Sequence, residues 1–290
     1  MRFGLHALGV ATGARPDVIR AMSQTAEARG FGTLWSGEHV VMMDRPRSRY
    51  PYSDDGLIPV PANADWLDPL VGLGFAAAVT SRIGLATGVL LLPEHNPVTA
   101  AKQVATLDVL CAGRLTLGVG IGWSAEEFSA LGVPFARRAA RTAEYLAAMR
   151  TIWSKDVASF AGEFTRFESV RVYPKPVRDR RVPVVLGGNS DAALHRAAAL
   201  ADGWYGFNLT ASAAAERAGA LLEYCRQQGR EPGELSIAVA LTDGNRDDVP
   251  ALQAAGVTEL VLVGSPPEAA TAASEWVSDL AAEWGVTPAD

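Results

Sequence analysis

The chain has 290 residues, 26 Lys and Arg against 32 Asp and Glu, a net charge of −6 and 49% hydrophobic residues. This is the balance of a folded acidic protein with a sizeable core, and it excludes disordered and collagen-like chains. With only Cys111 and Cys225, and no Cys-x-x-Cys pair, a disulfide framework and a zinc knuckle are excluded too, so the cytoplasm is the expected compartment.

Neither a membrane nor a nucleic acid is an expected partner. The most apolar stretch, 69–93, is cut by Thr80, Ser81, Arg82 and Thr87, so no run reaches the roughly 18 residues of a spanning helix. The apolar start is short, contains His6 and has only Arg2 ahead of it, unlike a secretory signal. The basic run Arg178-Asp179-Arg180-Arg181 is too short for a nucleic-acid footprint.

In chain order, β-branched apolar runs alternate with alanine-rich, helix-length segments. Strands are expected at 2–8, 32–36, 83–91, 115–121, 182–186, 203–207, 236–241 and 259–263. Helices follow at 17–29, 67–79, 98–111, 139–154, 191–201, 213–228, 249–254 and 267–283. Asn96-Pro97 supplies a capping side chain and a residue whose missing N–H costs nothing at a first helical position. Gly30 and Gly256 stand where a helix must stop before a strand. In the last helix Ala269, Ala273, Trp276, Val277, Leu280 and Trp284 form one stripe for burial.

Eight alternating units point to a single α/β domain over 1–290, a closed (β/α)8 TIM barrel in which strand eight pairs with strand one and leaves no edge. An open doubly wound sheet is disfavoured, because no G-x-G-x-x-G follows the first strand. Long connections are expected after strands 2 and 4, at 37–66 and 155–181. The first lies on the face where barrels place their chemistry and reads as a lid; the second reads as a short hairpin plus an extended proline segment.

The strand ends on that face carry the candidate groups. His39, just past strand two, is able to titrate near neutral pH and reach a ligand, although a solvated loop histidine is the alternative. His6 reads as a core histidine bonded to backbone, and His95 and His195 as surface or packing residues. No H-x-H or H-E-x-x-H spacing supports a metal. No G-x-S-x-G supports a serine nucleophile. The glycines from Gly118 through Gly120 to Gly122 end a strand with bare backbone, which allows a flat ring to approach or serves simple packing. Gly187-Gly188-Asn189-Ser190 joins a strand to a helix without bulk, so that backbone N–H groups and the Ser190 hydroxyl can meet a phosphate; a capped βα turn is the alternative.

Four segments carry a resemblance covering nearly the whole chain: ARGFGTLWSGEHV, TGVLLLPEHNPVTAAKQVATLDVLCAGRLTLGVGIGWSAEEFSALG, YPKPV, and VPVVLGGNSDAALHRAAALADGW. Together they resemble the bacterial luciferase-like oxidoreductases, and within them the branch that uses the deazaflavin F420. The resemblance implies a (β/α)8 barrel with the cofactor ring across its C-terminal mouth. It implies a strand-three bulge at Thr87-Gly88-Val89 backing the ring, with a cis peptide at Gly88–Val89. It also implies a cofactor site of Gly120 and Gly122 with a phosphate turn of Gly187, Gly188, Asn189 and Ser190, and His39 as the proton donor or acceptor.

The reaction implied is hydride transfer between F420 and a small organic substrate under the Tyr50–Tyr52 loop. The alternatives are an FMN-dependent monooxygenase using reduced FMN and O2, and a deazaflavin-binding protein without turnover. The tryptophan that the family's sugar-phosphate dehydrogenases carry shortly after the histidine is missing from Val40-Val41-Met42-Met43, which argues against that substrate. A homodimer through the apolar second and third helices is also implied.

Overall fold

The computed structural model describes residues 1–288. The chain opens with β1 (Arg2–His6), α1 (Pro16–Arg29), β2 (Thr33–Ser36), α2 (Pro69–Val79), β3 (Gly84–Thr87) and β4 (Leu90–Leu91). It continues through α3 (Pro97–Leu110), β5 (Leu115–Gly120), α4 (Ala125–Ala130), α5 (Arg138–Ser154), β6 (Ala158–Ala161), β7 (Arg166–Val170) and β8 (Val184–Gly187). Then come α6 (Asp191–Leu200), β9 (Gly203–Leu209), α7 (Ala211–Gln227), β10 (Ser236–Leu241), α8 (Val249–Ala254), β11 (Glu259–Val263) and α9 (Ala270–Trp284).

Eight staves pair in parallel around a closed barrel, in the order β3, β2, β1, β11, β10, β9, β8, β5, with β5 returning to β3. Leu5 stands opposite Leu262 on one side of β1 and opposite Leu34 on the other, and Leu85 opposite Leu115 closes the ring. The eight staves thus close on one another and leave the barrel without an open edge.

The helix boundaries follow their capping chemistry. Asn96 Oδ1 accepts from the N–H of Val98 and Thr99 at 3.0 and 3.2 Å, and Pro97 begins α3. Gly30 and Gly256 both take φ of +93°, where any side chain would be strained, at the ends of α1 and α8. In α9 the stripe is turned inward on Ala273, Val277 and Ala281, against α1.

Two apolar regions result. The larger lies between staves and helices; the smaller fills the barrel interior with Trp35, Ala86, Val185, Tyr205, Ala238 and Val261. The floor of that interior is polar but satisfied. Glu259, fully buried, accepts from Trp35 Nε1 at 2.9 Å and Thr33 Oγ1 at 3.3 Å, and meets the Arg2 guanidinium at 3.3 Å. Burial raises its pKa against the pull of these partners.

The strand-three bulge implied by the resemblance is present: Gly88 and Val89, joined by a cis peptide, separate β3 from β4, so 83–91 is not one continuous strand. The structure departs from expectation in two further places. The short helix α4 was not expected, although Ser124-Ala125-Glu126-Glu127 is a capping-box pattern, with the Ser124 hydroxyl accepting from the Glu127 N–H at 3.3 Å. The second long connection leaves from the end of α5 rather than from a strand end, and folds as the expected hairpin, β6 paired antiparallel with β7. Its tip lies along α5, where Glu144 accepts three backbone N–H groups from Glu163, Phe164 and Thr165.

Candidate active site

The C-terminal ends of the staves form a mouth, and its floor is set by the bulge. The Val89 side chain fills the space left by two glycines: a Cβ on Gly120 would lie 2.5 Å from Val89 Cγ2, and one on Gly187 3.1 Å from Val89 Cγ1. These glycines therefore seat Val89. Thr87 is fully buried and donates its hydroxyl to the Gly118 carbonyl at 2.6 Å, locking the bulge to the neighbouring stave. Gly122, at φ +75°, turns the chain over Phe128 into α4.

The double-glycine turn adjoins this floor. Gly188 takes φ +104°, and Ser190 caps α6 by accepting from the Ala193 N–H at 3.3 Å. Asn189 is committed to Phe207, donating to its carbonyl at 2.7 Å and accepting from its N–H at 3.3 Å. The Ser190 hydroxyl and the Asn189 amide thus both have internal partners. What the turn offers an anion is the N–H groups at the start of α6, where the helix dipole is positive.

The connection between β2 and α2 crosses the mouth as an aromatic cover fixed at both sides. On the α4 side Glu126 accepts from the N–H of Arg47 and Ser48 and from the Ser48 hydroxyl at 2.5 Å, and these bonds hold its pKa down at about 2. On the β9 side Asn208 Nδ2 donates to the Tyr52 carbonyl at 2.6 Å, and Tyr52 meets Phe207 edge-on at 5.5 Å. Tyr50 stands edge-on to Trp123 at 5.3 Å, and burial raises the pKa of both tyrosines.

His39 is held beneath this cover. Its Nδ1 donates to Glu127 Oε2 at 2.7 Å, and Trp123 Nε1 donates to its Nε2 at 3.4 Å. Trp66 and Trp123 stand edge-on to the ring at 4.9 and 5.6 Å, leaving its side chain 8% exposed. One neutral tautomer satisfies both contacts, with the proton on Nδ1. Both nitrogens are therefore engaged, and proton exchange with a ligand at Nε2 requires Trp123 to turn aside. Glu127 also accepts from the N–H of Val40 and Val41, fixing the whole turn after strand two.

Two further acids meet here. Glu38 accepts from the Leu91 N–H at 2.5 Å and from His95 Nε2 at 2.9 Å. Burial of His95 opposes its charge, but the hydrogen bond and charge of Glu38, with Asp68 behind, outweigh it and raise its pKa. His95 is thus an ion-pair partner at the site, not the surface or packing residue expected. Glu94 has both carboxylate oxygens shut from solvent without a hydrogen-bond partner. Burial, with the charges of Glu127 and Glu38 adding, pushes its pKa up to about 9, so it is neutral at pH 7.

His6 also differs from expectation. It ends β1 at the mouth, and its Nδ1 lies 2.9 Å from the Tyr205 hydroxyl rather than against backbone. Tyr205 in turn stacks on Trp35 at 4.5 Å, so the interior column braces the ring from below. Glu127, Glu94 and the Glu38–His95 and His6–Tyr205 pairs are the polar features that reasoning from sequence missed, and only Glu127 had a local signal, its place in the capping box. No group of three or more His, Cys, Asp or Glu is arranged to hold a metal among the described residues. Nor is any helix among them long and apolar enough to cross a membrane.

A closed parallel barrel with a bulged third stave and an aromatic-covered mouth places the chain among the (β/α)8 barrels. The family model for luciferase-like monooxygenases matches residues 1–243, and the chain belongs to that family. An uncharacterized protein of Mycobacterium tuberculosis is 42% identical over 185 residues, 63% of this chain and 65% of that protein. The chain thus spans just under two thirds of that relative's length. The FMNH(2)-dependent dimethylsulfone monooxygenase of Pseudomonas fluorescens is 33% identical over 193 residues, 65% of this chain and 47% of the relative. Among solved structures, the coenzyme F420 dependent tetrahydromethanopterin reductase of Methanopyrus kandleri shares the fold. Its TM-score is 0.73 at 16% identity, over 95% of this chain and 97% of that one.

Proposed function

We propose that the protein is an F420-dependent oxidoreductase that transfers a hydride between the deazaflavin and a small uncharged organic substrate. The observation that carries this reading is the adjacency of two surfaces a ring-and-phosphate cofactor needs: the apolar Val89 platform between Gly120 and Gly187, and the Gly187–Ser190 turn at the start of α6. The residues present fit such a group. The deazaflavin, when bound, supplies the two-electron hydride chemistry and leaves binding and orientation to the protein. Gly88 and Val89 would back its ring, and the N–H groups at the start of α6 would hold its phosphate.

The cover of Tyr50, Tyr52 and Trp123 excludes water and selects for apolar substrates. His39, clamped by Glu127, holds the turn after strand two in register with the bulge, and it exchanges a proton with substrate only when Trp123 moves off Nε2. The choice of F420 rests on the resemblance of the motif run to the deazaflavin branch. FMN-dependent monooxygenation is the second reading, favoured by the dimethylsulfone monooxygenase relative. We also propose a homodimer through α2 and α3, where Val71 and Leu110 are 73% and 71% exposed.

Titration of the purified protein with F420 and, separately, FMN, followed by absorbance and fluorescence quenching, tests the reading. Saturable F420 binding without a response to FMN is expected. Binding of FMN alone would replace this function with the monooxygenase, and binding of neither would end both.

A further inference from the structure

Among the described residues, His6 at the mouth keeps one ring nitrogen without a hydrogen-bond partner. His39 has both nitrogens engaged, and His95 is turned to Glu38. His6 Nδ1 contacts the Tyr205 hydroxyl, whereas Nε2 makes no hydrogen bond among the described residues and the ring stays partly exposed. Two glycines keep that edge open: a Cβ on Gly37 would stand 3.4 Å from Nε2, and one on Gly88 3.0 Å from Cε1. Trp66 Nε1 holds the Gly37 carbonyl at 3.1 Å, so this clearance is built into the cover.

The tautomer follows from the donor and acceptor inventory. Tyr205 is buried, and His6 Nδ1 is the only hydrogen-bond partner of its hydroxyl among the described residues. Were Nδ1 protonated, the Tyr205 O–H would be a buried donor with no acceptor, which native structures rarely tolerate. The hydroxyl therefore donates to Nδ1, and the ring proton sits on Nε2. Burial lowers the pKa of His6 to about 4, so at neutral pH the imidazole is an uncharged donor.

We propose that His6 Nε2–H is the hydrogen-bond donor of this mouth to a ligand carbonyl oxygen, held in that tautomer by Tyr205 and left uncovered by Gly37. A neutral, preorganised donor suits a carbonyl: it polarises the C=O without setting a charge in an apolar chamber. The inference deepens the proposed oxidoreductase reading and rests on it for the meaning of the ligand, a carbonyl-bearing substrate or the carbonyl edge of the cofactor ring.

The first test needs no cofactor. Long-range 1H–15N spectra of the labelled protein at pH 7 are expected to show His6 as the Nε2–H tautomer, and Tyr205→Phe to release it into a mixture. An Nδ1–H ring in the unaltered protein overturns the proposal. The second test uses 4-dimethylaminobenzaldehyde, whose absorption moves to longer wavelength when its carbonyl accepts a hydrogen bond. A saturable red-shifted band is expected, lost in His6→Ala and about tenfold weaker in apparent affinity in Gly37→Val, as the loss of one such bond implies.

F420 and FMN titrations of the same variants separate the two sources. Cofactor affinity lost in His6→Ala assigns the oxygen to the ring, and a loss confined to the aldehyde assigns it to substrate. No red-shifted band together with unchanged cofactor affinity in His6→Ala overturns the proposal. If the unaltered protein binds neither cofactor, the functional reading fails, while the tautomer and the aldehyde band still decide on His6.

Discussion

Replacing Glu127 by alanine tests whether one carboxylate organises the mouth. The side chain is 1% exposed and holds three donors, His39 Nδ1 at 2.7 Å and the N–H groups of Val40 and Val41 at 2.7 and 3.1 Å. Removing one partner from such a buried set costs about 3–5 kcal/mol, because the donors left behind lose their acceptor without regaining water. At about 2 °C per kcal/mol for a chain of this size, the thermal midpoint is expected to fall by about 6–10 °C. Glu127→Gln keeps the volume and an oxygen for Val40 and Val41 but presents an amide to His39, and should cost only about 1 kcal/mol, or about 2 °C. Scanning calorimetry on the three proteins gives the midpoints. Tryptophan emission reports the loop, because Trp66 and Trp123 both stand against His39. An alanine variant that melts within about 1 °C of the unaltered protein would show that the turn after strand two does not depend on this carboxylate.

Other outcomes follow from the same geometry. Glu94 keeps its proton in the folded state up to about pH 9 while the unfolded chain loses it near 4.5, so its contribution to stability falls as pH rises between those values. The stability advantage of Glu94→Gln should therefore widen from pH 5 to pH 8 in urea titrations, and parallel curves would refute its burial as a neutral acid. His95 has the opposite requirement for charge. Its pKa is raised in the folded state, so its pairing with Glu38 contributes fully below the unfolded value of 6.5 and is lost as pH climbs past the folded one. His95→Gln should then lose more stability at pH 5.5 than at pH 8.5, read from the same titrations. Gly120→Ala pushes Val89 off its seat, and about a tenfold loss of F420 affinity, ~1.4 kcal/mol, is expected with an unchanged circular dichroism spectrum. Val71→Glu combined with Leu110→Glu places charge on the proposed dimer face, and sedimentation should show monomer where the unaltered chain pairs.

The barrel was legible because its signals are local. Eight β-branched apolar runs, the Asn96 cap and the Gly30 and Gly256 stops each depend on a few adjacent residues, and each appears in the structure, the third run broken at the bulge. The bulge at Gly88–Val89 was reached through resemblance, since a run as apolar as 83–91 carries no periodic sign of a break. The polar network of the mouth was much less legible. Glu38 and His95 are 57 positions apart, His39 and Glu127 88 apart, and His6 and Tyr205 199 apart. Such pairs form only when barrel closure brings distant stave ends together, so no spacing rule reveals them. The glycines show the converse: a bare backbone in sequence says that something approaches, and the structure identifies that neighbour as Val89.

These pairings also set the electrostatics that the chemistry would meet. Three acids converge on the mouth, yet none presents a free charge to it. Glu38 is turned to His95 and the Leu91 N–H, Glu127 is consumed by three donors, and Glu94 is protonated. An open carboxylate beside a ring platform would repel the electron-rich end of a hydride transfer and demand a cationic substrate. Compensating each acid behind the wall leaves an aromatic chamber with a neutral imidazole among its polar groups. That arrangement favours an uncharged substrate with a single polar handle. It predicts that neutral ketones and enones compete for the chamber in the aldehyde displacement assay, while carboxylates of the same size do not.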